Sequence, residues 1–464
     1  MKKFFKTACF SFIIIVLSIT VLMGSIYIIV NHKTEKNIYF STVDSASYEN
    51  LPVVKISTNN NQLPKDKENY VNCGFSISNC ENEDWNCSIE IKKSLNEENS
   101  VGFKLRGNST LNMPKKPYRI KFDKKQSLFG LEPNKNWVLL ADYIDSSKIR
   151  NYTAFQLSSK FQSLAFTPSP HHVVLFINDI YQGLYLLTEH VDEKEGRCNI
   201  EEDIDPNIQT EFPFLVEMDS LALNEGITGI DNFQTEYYYP IEIKYPEYKD
   251  RNLTDKNDVV FNYIQEYMNA VFKTLKRNEK VNVSFRSDPV DFEDLVDVDS
   301  FLEFWLINEI MHNSDSSWKS IKMSKTMDGK LKFGPVWDFD GSIGNWYGKP
   351  PESSDISCAD EILIMSLKTP VRDFVQDYDN FKLLCDKWDD VKENILLTVE
   401  ELKDYKKTIL NPAKFDADYW YGDNGAYMFD MQYDYVRLFL LDRYNFLDKE
   451  LNYENHSNFI ISEE

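Results

Sequence analysis

Hydrophobic positions along the chain change period partway through. From Leu51 they come in short runs that alternate with polar residues, at Pro52–Ser57, Tyr70–Ile77, Cys87–Lys92 and Val101–Arg106. Alternation of that length puts every second side chain on one face and predicts strands. In Lys115–Phe122 the apolar Tyr118, Ile120 and Phe122 interleave with Arg119 and Lys121, so a strand there carries both cations on one face. Trp137–Tyr143 predicts a further strand, and Phe212–Met218 another that leaves through Glu217 and Asp219. His171–Ile177 and Leu184–Thr188 read as a hairpin turning at Asn178-Asp179 and ending in Glu189. One helix interrupts the run, Ser146–Phe161, with Asp145 as its cap.

Beyond about residue 220 the apolar spacing lengthens to three and four. It predicts helices over Val259–Arg277, Asp291–His312, Phe381–Leu410 and Met428–Leu447, the third stopping ahead of Asn411-Pro412. A β-rich half over about 51–220 followed by a helical half over about 221–455 makes an α+β fold. The cleft between the halves is the expected ligand site.

The stretch from Phe304 to Asn345 carries the chemistry. An apolar helix runs into a polar loop holding Asp315, and a hairpin turns at Asp328-Gly329, where Asp-Gly is a strong turn signal. The returning strand delivers Asp338 and Asp340 beside Gly341. Asp315 and Asp338 thus flank one hairpin, which returns them to the same end of the fold. Phosphoryl transfer needs such a pair: one carboxylate orients the attacking hydroxyl and another holds a metal ion on the phosphates. Lys319, four residues after Asp315, could neutralise charge on the transferring group, and Ser320 offers a weak oxygen ligand. Surface turns also produce Asp-x-Asp beside Gly, so this spacing is not specific by itself.

The first residues form a separate unit. Lys2, Lys3 and Lys6 precede Thr7–Val30, 24 residues without a charge. That length spans a bilayer and exceeds the apolar core of a cleavable signal, and the preceding lysines favour an inside N-terminus. The expected organisation is a tail at 1–6, a transmembrane anchor at 7–30, a polar stalk at 31–50 and one domain at 51–455, placed outside the cytosol. Apart from Cys9 in the span, six cysteines remain, which permits disulfides there without fixing their pairing.

Composition narrows the partners. Of 464 residues 42% are hydrophobic and 14% aromatic, enough for a packed core. A net charge of −23, with no basic block beyond the N-terminus, excludes nucleic acid as the expected partner and is compatible with a basic protein substrate.

Seven segments in order, LPVVKIST, VGFKLRGNST, KKPYRIKF, SLFGL, NWVLLADYIDSSKIRN, YQGLYLLTEHVD and FGPVWDFDGSIGN, together resemble the spore coat protein H (CotH-like) kinase family. The likeness runs from about Leu51 to Asn345 and more loosely through the helical tail. It implies a divergent, two-lobed protein-kinase-like fold with a β-rich N-lobe and a helical C-lobe. It also implies transfer of phosphate from ATP to Ser or Thr of a protein, here expected to be Ser-rich and basic, with Mg²⁺ or Mn²⁺. By that likeness Asp315 matches the catalytic Asp and Asp338 the metal-binding Asp, with Asp340 nearby. Arg106, Gly107, Asn108 and Ser109 stand over the nucleotide phosphates, and Arg119 and Lys121 face them. Lys115, Lys116 and Lys121 compete as the phosphate lysine, and strand phase favours Lys121. Where many relatives carry Asn, this chain has Ser320. Two other readings follow from that departure and from the fold's versatility: a non-catalytic adhesion or coat-assembly protein, and a nucleotide-dependent transferase of another group.

Overall fold

The structure, a computed structural model, describes residues 48, 51–78, 89–91, 101–200, 203–205, 207–220, 230–248, 251, 258–317, 319–345, 357–367 and 369–461. The apolar span at 7–30 and the stalk lie outside them. Among the described residues no helix is long and apolar enough to cross a membrane.

Eight strands build the first sheet: β1 (Val53–Thr58), β2 (Val71–Ser78), β3 (Ile89–Ile91), β4 (Val101–Leu105), β5 (Tyr118–Gln126), β6 (Asn134–Leu140), β7 (His171–Ile177) and β8 (Ile180–Glu189). Their order is β1-β7-β8-β6-β5-β4-β2-β3, and β1 pairs back onto β2, so the sheet closes like a barrel, with β3 pairing onto β2 next to β4. The alternating residues fill the interior: Val54, Ile56, Phe75, Phe103, Ile120, Trp137, Leu175 and Leu187 form one core. The outward Val138, Leu140, Val174, Leu184 and Leu186 join a second core with the helices. Strands β6–β8 are therefore covered on both faces, which explains their near-continuous apolar runs. At the β7–β8 turn Asn178 and Asp179 take φ of 52° and 60°, the left-handed pair that a two-residue hairpin demands.

Between β6 and β7 lies α1 (Arg150–Ser158), shorter than expected. Residues 145–149 form a loop instead, because Asp145 spends its oxygens on the amides of Ser147 and Arg150 rather than capping a helix at residue 146.

The second sheet has the order β10-β11-β9-β12-β13, from β9 (Phe214–Met218), β10 (Asn232–Gln234), β11 (Pro240–Tyr245), β12 (Ile321–Lys325) and β13 (Lys332–Phe333). It joins strands from both sides of residue 220. Val216, Met218, Ile241, Ile243, Ile321 and Met323 share its buried face and belong to the same core as α2 (Val259–Arg277). The opposite face bears a charged row, in which β9 sets Glu217 against Lys322 of β12 and Glu242 of β11.

The expected helix over Asp291–His312 is two, α3 (Phe292–Leu295) and α4 (Val298–Ile310). The break comes where Asp297 donates its N–H to the Leu331 carbonyl and caps α4 through the Ser300 amide. Helix α4 is buried on every side from Ser300 to Ile310. After α5 (Leu363–Ser366) and α6 (Pro370–Phe374) come α7 (Tyr378–Val391), α8 (Glu393–Tyr421) and α9 (Gly425–Glu450). Helix α8 runs through Pro412 instead of stopping before it. Proline in a helix interior costs about 3 kcal/mol. Burial of Ile409, Pro412, Ala413 and Ala417, with ion pairs at Asp416, offsets that loss.

Candidate active site

Both predicted acidic positions sit at chain reversals fixed from behind. Buried α4 ends at Ile310, and Asn313 is tied back to Asn308 through backbone (2.9 Å) and side chain (3.0 Å). The turn Ser314–Ser317 then presents Asp315 to solvent. Lys319 Nζ lies 3.3 Å from Asp315 Oδ1. After the β12–β13 hairpin, where Met323 faces Phe333, the chain reaches Asp338. The Ser320 hydroxyl donates to Asp338 Oδ2 at 2.8 Å, so the loop after α4 and the turn after β13 meet. Asp338 is exposed with φ of 61°, a left-handed conformation that surrounding structure must hold.

Two adjacent residues of α1 supply that hold. Asn151 Oδ1 accepts the Phe339 N–H at 2.8 Å while its Nδ2 donates to Asp142 Oδ1 at 2.7 Å. Arg150 Nε and Nη2 donate to the carbonyls of Ser342 (2.9 Å) and Ile343 (3.2 Å), and its Nη1 donates to Asp145 Oδ1 at 2.6 Å. Asn345 closes the turn by donating to the carbonyls of Ile144 (3.0 Å) and Asp340 (2.6 Å). The turn 338–345 is thus stitched to the loop 142–151.

The stitching gathers negative charge. Burial, and then the carboxylates of Asp338, Asp142, Asp145 and Asp315, hold the Asp340 carboxyl well above its ordinary range. Burial and Asp145 push the Asp142 carboxyl up to about 6.

On the barrel side Arg106, just past β4, places its guanidinium 5.5 Å from the Trp337 ring, next to Asp338. Burial lowers its proton affinity, and Asp338, Asp340 and Glu217 raise it again. Gly107 has φ of +90°, and a Cβ there would come within 2.2 Å of Thr110 Oγ1, so glycine is required on both counts. Residues Ser109–Asn112 form a short 3₁₀ turn rather than a plain strand-to-strand turn. Asn108 and Ser109 are exposed, the former accepting from Lys67 Nζ at 2.9 Å. On β5, Arg119 is half-buried and donates to Asn136 Oδ1 at 3.0 Å, while Lys121 is exposed on the same face.

Lys115 leaves the competition for a phosphate lysine. It is fully buried, 2.8 Å from Asp416 of α8, which also pairs with Lys148 at 3.2 Å. Lys116 Nζ donates to the Leu111 carbonyl at 2.6 Å. Cys73, Cys198 and Cys385 are buried free thiols, so no disulfide joins the cysteines among the described residues.

Asp142, Asp145, Arg150 and Asn151 were missed as site residues, although the segment ADYIDSSKIRN holds them all. Read as cap and helix, it concealed a loop that reaches the acidic turn 188 residues further on.

Among the described residues no group of three or more Asp, Glu, His or Cys side chains is close enough to cage a metal ion. Magnesium keeps several waters and takes one or two carboxylates plus ligand phosphates, so exposed Asp338 with crowded Asp340 beside it fits that demand. Arg106 on the facing loop fits an anionic ligand at the same place.

The fold and site define a class: an α+β protein in which a barrel-like sheet and a helix-backed sheet bring a cationic loop against a carboxylate-bearing turn. The chain belongs to the family described as CotH kinase protein, whose family model matches residues 103–447. No curated protein matches the sequence.

Proposed function

We propose that the chain is an ATP-dependent protein Ser/Thr kinase on a two-lobed, protein-kinase-like arrangement, the barrel-like part over the helical part. The observation that carries this reading is the Ser320–Asp338 hydrogen bond, since it brings the loop of Asp315 and the turn of Asp338 to one place under Arg106. Family membership supports the chemistry.

ATP with Mg²⁺ or Mn²⁺ would supply the phosphoryl group and neutralise its charge. Asp338 would hold the metal, with Ser320 and Asp340 beside it. Asp315, exposed on a turn anchored to rigid α4, accepts the hydrogen bond of a substrate hydroxyl and orients it. Lys319, already paired with Asp315, neutralises charge on the group in transit. Arg106, the Gly107–Ser109 backbone, Arg119 and Lys121 take the phosphates. The substrate proposed is a Ser-rich, basic protein, matching the net charge of −23. Residues 7–30 would anchor the chain in a membrane with the domain outside the cytosol.

The test incubates the full chain with ATP, Mn²⁺ and a Ser-rich basic protein and reads substrate mass. Addition of phosphate is expected, and Asp315→Asn should slow it about a hundredfold, some 2.7 kcal/mol of barrier, with folding intact. Wild-type rates in that variant would remove Asp315 from the mechanism. Absence of transfer by the wild type would favour a non-catalytic role.

A further inference from the structure

The charged row on the second sheet points to a residue that none of the sequence motifs singled out. Lys322 of β12 stands directly across from Glu217 of β9 and forms an ion pair with it. Glu217 is also 3.2 Å from Lys244 of β11, which pairs in turn with Glu242. Two lysines hold the Glu217 carboxyl down to about 2 despite its burial, so Glu217 is a fixed anion and a rigid rest for the Lys322 ammonium. The Lys322 backbone is fixed as well, its carbonyl accepting from the Gly334 N–H at 2.9 Å.

His190 lies where the chain leaves the barrel after β8, its N–H directed at the Asn136 carbonyl. Beyond burial, four cations lower its proton affinity: Arg119, Arg106, Lys322 and Lys104. Three come from β4, its exit and β5, and Lys322 alone comes from the second sheet. The anions acting on Arg106 are Asp338, Asp340 and Glu217, the last already held by its lysines, while Glu68 and Asp66 act on Lys104. Within this ring the Nε of Arg119 is buried and has no hydrogen-bond partner among the described residues. Lys322 stands two residues beyond Ser320, whose hydroxyl meets Asp338 at 2.8 Å beside Arg106, so cations of both sheets border the acidic turn and suit an extended polyanion that touches both sheets.

We infer that Lys322, seated on Glu217, is the second-sheet anion contact of this site and grips the polyphosphate of a nucleoside triphosphate opposite Arg106 and Arg119, with Glu217 as its positioning residue. This rests on the nucleotide reading above, yet it makes a separate demand, since it requires affinity for the polyphosphate itself.

The experiment measures binding of inorganic tripolyphosphate, ATP and adenosine to the full chain by calorimetry, with thermal melting as the control for folding. Lys322→Met should weaken tripolyphosphate and ATP about tenfold and leave adenosine unchanged, and Lys322→Arg should restore most of the loss. Because Lys322→Met leaves the buried Glu217 carboxylate with Lys244 alone, the double variant Lys322→Met with Glu217→Gln is measured beside it and should show the same loss. Glu217→Gln alone should lower tripolyphosphate affinity by a few-fold without touching adenosine. Unchanged tripolyphosphate affinity in a folded double variant would overturn the inference, as would equal losses for tripolyphosphate and adenosine, or a wild type that ignores tripolyphosphate. Tripolyphosphate binding that needs Lys322, in a chain that transfers no phosphate, would uphold the inference and sink the kinase reading instead.

Discussion

Two acidic segments meet at this site, and they differ in how their charge is handled. In the loop 142–151 Asp145 is fully buried and its oxygens are taken by the Arg150 guanidinium, the Ser147 amide and hydroxyl, and the Arg150 amide. In the turn 338–341 Asp338 is exposed and receives the Ser320 hydroxyl. Asp340, beside it, lies among four other carboxylates that raise its proton affinity. The first segment is charge used as construction, and the second is charge left available for a ligand. The same residue type, five positions ahead of a helix or in a turn, acquires either role from what the rest of the chain packs against it.

The largest test of that contrast is Arg150→Ala. It strands the Asp145 carboxylate in the interior and should cost about 3–5 kcal/mol in denaturant unfolding. Asp338→Asn should leave unfolding almost unchanged. Similar losses in the two variants would erase the distinction. Asn151 is the rivet between the segments, and Asn151→Leu leaves the Phe339 N–H and one Asp142 oxygen without it. A loss of about 2–3 kcal/mol is expected, again by denaturant unfolding.

The smallest expected effect concerns Asp142, whose carboxyl is pushed up to about 6, first by burial and then by Asp145. Between about pH 4 and 6 the folded protein retains a proton that the unfolded chain has released. Its contribution to stability is therefore complete at the acid end and is lost as pH rises through 6. Asp142→Asn should flatten that slope and raise stability at pH 7 by roughly 1–2 kcal/mol. A variant with the wild-type pH slope would place the titration elsewhere.

Much of the fold could be read from spacing alone. Helix α2 spans the residues its periodicity predicts, because Asp258 caps one end and Asn278 ends the other in a left-handed conformation. The hairpins at Asn178-Asp179 and Asp328-Gly329 follow from turn chemistry. Failures came where distant residues decide. Pro412 signals a stop, yet buried contacts and the Asp416 ion pairs carry α8 past it. Lys115 reads as a surface or phosphate lysine until Asp416, 301 residues away, buries it. Strand β9 pairs with β11 nearby but with β12 only across α2–α4, 105 residues on at Lys322, so the Lys322–Glu217 row is invisible to local pattern. That the loop of Asp315 and the turn of Asp338 come together could be read because a single short hairpin separates them.

If the turn at 338 holds metal-bound nucleotide and the buried loop behind it only supports, removing the Asp338 charge abolishes nucleotide binding without loosening the fold. The direct measurement is the thermal stabilisation of the full chain by Mg²⁺ with ATP, in the wild type and in Asp338→Asn. A clear upward shift in the melting temperature of the wild type is expected, and its loss in the variant, whose ligand-free melting temperature stays the same. Equal stabilisation of both proteins would contradict it.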